Sequence, residues 1–148
     1  MGREHIGEGK LICLFIACLI SFTLFACNAL KERVREKDAS GHLLHAKELL
    51  TQGNYEMALE ENQKALTLSG KNPPGDEALF NMGLIYAHPE NHKKNFKKSL
   101  SFFQRLIKNY PQSPLSEQAR IWIGVLQMIE KSKKADVEIE EMKKEMSR

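Results

Sequence analysis

The sequence is 148 residues long, with 42% apolar and 28% charged side chains and a formal net charge of +3. That length holds one ordinary domain, and the composition excludes a disordered chain and a multi-span membrane protein alike. The apolar residues are unevenly placed: Leu11 to Leu30 is a run of twenty without a charge, so the amino terminus reads as a targeting segment before it reads as fold.

Arg3 and Lys10 precede this run, and it contains Leu24-Phe25-Ala26-Cys27 near its end. The segment resembles a bacterial lipoprotein signal peptide, whose small residue before a cysteine permits cleavage and whose cysteine sulfur is lipidated. The resemblance implies that residues 1–26 are removed and that Cys27 is the lipid attachment site; within residues 27–38, the short, charged stretch from Ala29 to Asp38, alternating in sign, reads as a tether or a frayed helix start. Asn28 stands where an aspartate would signal retention at the inner membrane, so the implied location is the periplasmic face of the outer membrane. Cys13 and Cys18 would leave with the peptide; a mature chain with one lipidated cysteine has no disulfide, no cysteine-rich metal site and no free thiol. Several acyl chains, at about 0.8 kcal/mol per buried methylene, hold such a protein to the membrane. The alternative is an uncleaved signal anchor, since twenty residues at a 1.5 Å rise span roughly 30 Å of hydrocarbon. Lys31, Arg33, Arg35 and Lys37 would then place the rest of the chain in the cytoplasm.

From Ser40 onward the periodicity is helical throughout, and no segment reads as a strand. Leu43, Ala46, Leu49 and Leu50 mark a first helix, ended by Thr51-Gln52-Gly53-Asn54. Tyr55, Ala58, Leu59, Ala65, Leu66 and Leu68 mark a second, stopped between Ser69 and Gly75 by glycines and Pro73-Pro74. Asp76 to Ala87 is a third, and about Asn95 to Asn109 a fourth with Leu100, Phe103, Leu106 and Ile107 on its apolar face. Beyond Tyr110-Pro111-Gln112-Ser113-Pro114 a fifth is expected, with Ser116 as its N-cap. Ile121, Val125, Met128, Ser132, Ala135, Ile139, Met142 and Met146 alternate spacings of four and three, a heptad seam. The seam is widened as far as Ile129 by Trp122 and Leu126, and that half is expected to pack on the preceding helices. Residues 131–148 are expected to be a charged helix, either frayed or paired in a coiled coil.

The helix pairs repeat. Ala46, Gly53, Tyr55, Ala58, Ala65 and Leu66 have a spacing that resembles a tetratricopeptide repeat; Gly83, Tyr86, Ser99, Phe103, Leu106 and Pro111 have it again with four extra residues between the helices. Gly124 would open a third unit. Asn62, Gly70 and Leu49 depart from the pattern. The resemblance covers 39–130 and implies an all-α domain: antiparallel helix pairs of a short, degenerate tetratricopeptide-like solenoid with a long C-terminal helix. Its packing residues would be Ala46, Gly53, Tyr55, Ala58, Gly83, Tyr86, Phe103 and Pro111. The Tyr110 to Pro114 junction looks like those of periplasmic tetratricopeptide lipoproteins, which implies a scaffold that binds other envelope proteins. A lipoprotein regulator of an envelope two-component sensor kinase has a similar layout.

Charge is polarised along the chain. Glu48 to Glu90 holds seven acidic and two basic residues, whereas Asn91 to Ser116 holds six basic and none acidic. Lys93, Lys94, Lys97 and Lys98 make one basic face, a candidate protein-binding surface at a helix start where lysines work against the helix dipole. Nucleic acid is not expected as a partner, because an exported protein would not meet it. Enzyme signatures are lacking: Pro89 interrupts His88 and His92, His42 and His45 have no third ligand in sequence, Glu60-Glu61 and Glu140-Glu141 are helical surface carboxylates, and Ser113 has no neighbouring base. No catalytic residue, metal or cofactor is expected.

Overall fold

The computed structural model describes residues 30–147. Residues up to Lys37 group as one unit and those from Asp38 onward as a second. Residues 30–37 are helical with every side chain exposed. The described chain forms helix α1 (30–51), α2 (Tyr55–Ser69), α3 (Gly75–Ala87), α4 (Phe96–Asn109) and α5 (Pro114–Met146), and no strand occurs among the described residues. The protein is all-α.

Glycine and proline set the helix ends. Gly53 takes a left-handed φ of 74° after α1, which lets the Asn54 N–H turn back to the Leu49 carbonyl at 2.8 Å. Gly70 (φ 62°) does the same after α2, its N–H reaching the Leu66 carbonyl. Asp76 and Glu77 in the first turn of α3 complement its positive end. Asn95 caps α4 by accepting from the Lys98 N–H at 3.0 Å. The cap of α5 is Ser113 rather than the expected Ser116: its hydroxyl accepts from the Leu115 N–H, and Pro114 occupies the first helical position. Proline has no N–H to leave unsatisfied there, and its fixed φ suits a helix start, so the helix begins one turn earlier. Ser116 is instead buried within that turn and donates to the Tyr110 carbonyl at 2.7 Å.

Successive helices from α2 to α5 pack side by side. Their contacts run in opposite chain directions: Tyr86 meets Phe102 and Phe80 meets Phe103 between α3 and α4, while Phe103 meets Trp122 between α4 and α5. Helices α3 and α4 approach closely at Gly83. A Cβ there would lie 2.6 Å from the Phe103 ring, and the Ser99 hydroxyl donates to the Gly83 carbonyl at 2.6 Å. Glycine and serine thus bring two backbones together while Phe103, fully buried, fills the space beside them. In the first pair Ala46 and Ala58 are buried, as Gly83 and Ser99 are. One core runs from Ala39 and Leu43 through Ala65, Leu79, Met82 and Leu106 to Ala119 and Leu126.

Tyr110 ties the two interhelical junctions together. It is buried, its hydroxyl donates to the Gly70 carbonyl at 3.0 Å, and Ser113 donates to Asp76 at 2.6 Å. The α4–α5 connection therefore holds the α2–α3 turn. Of the residues expected to pack the repeats, Ala46, Ala58, Gly83 and Phe103 are buried, and Tyr55 and Tyr86 half-buried. Gly53 and Pro111 are exposed, and they act by shaping turns.

Candidate functional site

The loop before α4 presents the basic face. Asn91, buried, anchors it by donating to the Ile85 carbonyl at 2.9 Å and accepting from the Lys93 N–H at 2.9 Å. The Asn95 N–H then returns to the Tyr86 carbonyl. Lys93, Lys94, Lys97 and Lys98 are all exposed, but they are not equivalent. Lys93 reaches Glu56 on α2 at 2.5 Å, so its charge is shared with the acidic side of the molecule. Lys98 lies 5.1 Å above the Tyr86 ring, and Lys94 lies 6.0 Å from Phe96. A fifth cation joins them: Lys133 of α5 sits 4.9 Å from the same Phe96 ring. Two ammonium groups on one aromatic ring form a concentrated positive spot. The sequence hides Lys133 among a run of charges, and only the antiparallel return of α5 along α4 brings it there.

A second polar cluster lies between α1 and α2. Glu61 has a side chain 10% exposed and receives Lys64 at 2.5 Å and His42 Nδ1 at 2.6 Å, with His45 Nδ1 at 3.5 Å. The Lys64 hydrogen bond, followed by that of His42, holds the Glu61 carboxyl down at about 2. The histidines expected to lack a third ligand do converge on a carboxylate. The Lys64 ammonium already occupies it and would repel a cation, and no metal-binding group of three or more side chains occurs among the described residues. His88 instead packs against Tyr55, the two rings tilted by 36° with centroids 4.9 Å apart.

The third feature is on α5, whose first half packs on α4 as expected, with Leu126 buried and Trp122 stacked on Phe103, while the seam itself faces away. Its buried positions are Ser116, Ala119 and Leu126, with Ile123 partly buried on the same side. The heptad seam faces elsewhere: Ile121 is 63% exposed, Met128 72% and Met142 55%, and Val125, Ile139 and Met146 are exposed as well. Helix register, and not apolar content, decides which stripe meets α4. A buried stripe that includes a serine and an alanine lets α5 approach closely, whereas the larger seam residues lie a third of a turn or more away. The helix also runs without a break through Lys131-Ser132-Lys133-Lys134 to Met146.

Cys27, with Cys13, Cys18 and the apolar run, lies outside the described residues. None of the described helices is long and apolar enough to cross a membrane. No protein-family model, curated protein or solved structure matches the chain.

Proposed function

We propose that this chain is a lipid-anchored protein-interaction scaffold of the bacterial cell envelope. In this reading a short, degenerate tetratricopeptide-like stack stands on Cys27 at the periplasmic face of the outer membrane. The observation that carries it is the shared packing device of the two helix pairs: small buried residues at Ala46 and Ala58, and at Gly83 and Ser99, at matching positions. Such stacks act through surfaces rather than pockets, and here α5 leaves Ile121, Val125 and Met128 exposed beside the core, with Trp122 half-covered by Phe103. A partner segment would lie on these residues while Lys94, Lys97, Lys98 and Lys133 steer its approach through long-range attraction. The partners are other envelope proteins. The reading assigns no catalytic residue, cofactor, metal or nucleic acid.

The uncovered tail of α5 favours one second reading, a regulator that touches the sensor domain of an envelope kinase through this helix. Two measurements test the proposals. Intact mass of the protein from native membranes should show a chain starting at acylated Cys27, and an inhibitor of lipoprotein signal peptidase should abolish that species. A chain retaining Met1 or Gly2 would overturn the anchor and move the scaffold to the cytoplasmic side as a signal-anchored adaptor. A photo-crosslinking residue at Met128 should capture a discrete envelope protein; its persistence after truncation beyond Glu130 supports the scaffold, and its loss supports the regulator.

A further inference from the structure

The distal half of α5 projects a regular apolar stripe. Ser132, Ala135, Ile139, Met142 and Met146 continue the stripe of Ile121, Val125 and Met128, and every residue from Lys131 to Ser147 is exposed. The helix is continuous over this length, so the stripe is one straight seam of about 38 Å at a 1.5 Å rise. In heptad terms Val125, Ser132, Ile139 and Met146 are a positions and Ile121, Met128, Ala135 and Met142 are d positions. The flanking g positions are then Gly124, Lys131, Glu138 and Glu145 and the e positions Trp122, Ile129, Asp136 and Lys143, of which Lys131, Glu138, Asp136 and Lys143 are the charged g–e partners.

These four charges select an occupant. In a parallel, in-register pair, each g residue faces the e residue five positions on in the other chain. Lys131 then meets Asp136, and Glu138 meets Lys143. Both contacts occur twice by symmetry, all four are attractive, and no like-charged g–e contact arises. None of the four side chains is tied in an ion pair among the described residues, so each is available. Antiparallel pairing that sets Val125 against Met142 keeps only the Lys131–Glu138 attraction. We propose that α5 pairs with α5 of a second copy of this chain as a parallel, in-register two-stranded coiled coil. The proposal does not rest on the anchor at Cys27; over Ile121, Val125 and Met128 the second copy competes with the partner segment of the scaffold reading for one face.

Complementary charge variants test it. The full chain, purified in detergent with Cys13, Cys18 and Cys27 changed to serine, should be dimeric by sedimentation equilibrium at tens of micromolar. Lys131→Glu with Lys143→Glu makes every g–e contact repulsive, as does Asp136→Lys with Glu138→Lys; each double variant should dimerise at least about tenfold more weakly, from the sum of several surface charge pairs. Mixing the two variants restores all four attractions and should restore the dimer. A nitroxide on Ser147→Cys reads orientation: parallel chains place the two labels within about 20 Å, antiparallel chains about 40 Å apart. A monomeric parent chain would overturn the proposal. So would double variants that dimerise like the parent, a mixture that stays monomeric, or the long label distance.

Discussion

At the residue scale, two helical glycines have opposite fates. Gly83 faces Phe103, and a methyl there would enter the ring at 2.6 Å, whereas a methyl on Gly124 would meet nothing within 4 Å. Gly83→Ala should therefore lower stability by about 1–3 kcal/mol through overpacking. Gly124→Ala should raise it by about 0.5–1 kcal/mol, because alanine loses less backbone freedom in a helix. Urea midpoints moving in opposite directions check both. Phe103 of α4 packs against Gly83, whereas no described residue covers Gly124. Glu61 makes a pH-dependent contribution. Its carboxyl sits at about 2 in the folded protein against an ordinary 4.5, so it stabilises the fold fully above pH 4.5 and loses that contribution as pH falls toward 2. Glu61→Gln removes the effect. The gap in urea midpoint between parent and variant should be full at pH 5 and above and shrink steadily as pH falls from about 4.5 toward 2, and an unchanged gap would show that Lys64 and His42 do not act through this carboxylate.

At the element scale, capping decides where α5 starts. Ser113→Ala removes both the acceptor for the Leu115 N–H and the bond to Asp76, and should cost about 1 kcal/mol in thermal or urea unfolding. Ser113→Gly, which keeps the turn geometry, should not recover the Asp76 contact. This junction also shows what a sequence reveals. Gly53, Gly70, Pro73-Pro74 and the Pro111 to Pro114 stretch are local backbone signals, and the helices begin and end within a residue or two of the positions they mark. The close approach of α3 and α4 was legible too, because Gly83 and Ser99 can be recognised as small residues at matching positions. The buried stripe of α5 was not legible. Ile121, Trp122 and Val125 outweigh Ser116 and Ala119 in apolar area, yet burial follows the face that the Tyr110 junction turns toward α4. Asn62 shows the same limit. Polarity suggests a surface residue, but it is fully buried, donating to the Ala58 carbonyl at 2.7 Å. The pairing of His42 and Glu61 and the meeting of Lys94 and Lys133 across Phe96 depend on tertiary contacts between residues far apart in the chain.

At the scale of the molecule, stability and interaction are assigned to different stretches of one helix. Helices α2 to α5 each pack on the next, and they share one core that ends within the first half of α5. The last buried apolar side chain in the described chain is Leu126, while residues 131 to 147 are exposed throughout. Truncation after Glu130 deletes only the Lys133 contact on Phe96 and the free seam. Its urea midpoint should stay close to that of the parent chain, measured below the concentration at which the parent self-associates. Truncation after Ser113 removes Ser116, Ala119 and Leu126 together, leaving Phe103 and Leu106 facing water. Uncovering those side chains costs roughly 1.5–3 kcal/mol for each large apolar group fully exposed, a substantial share of the 5–15 kcal/mol by which a domain is ordinarily stable. That chain should unfold at far lower urea or fail to accumulate. If the shorter truncation unfolds it as well, the distal half of α5 is part of the folding unit and pairing through it would be inseparable from stability. If only the longer one does, the distal helix is an appendage that the fold supports without needing it, and its preserved seam and alternating charges are left to serve contact with another chain.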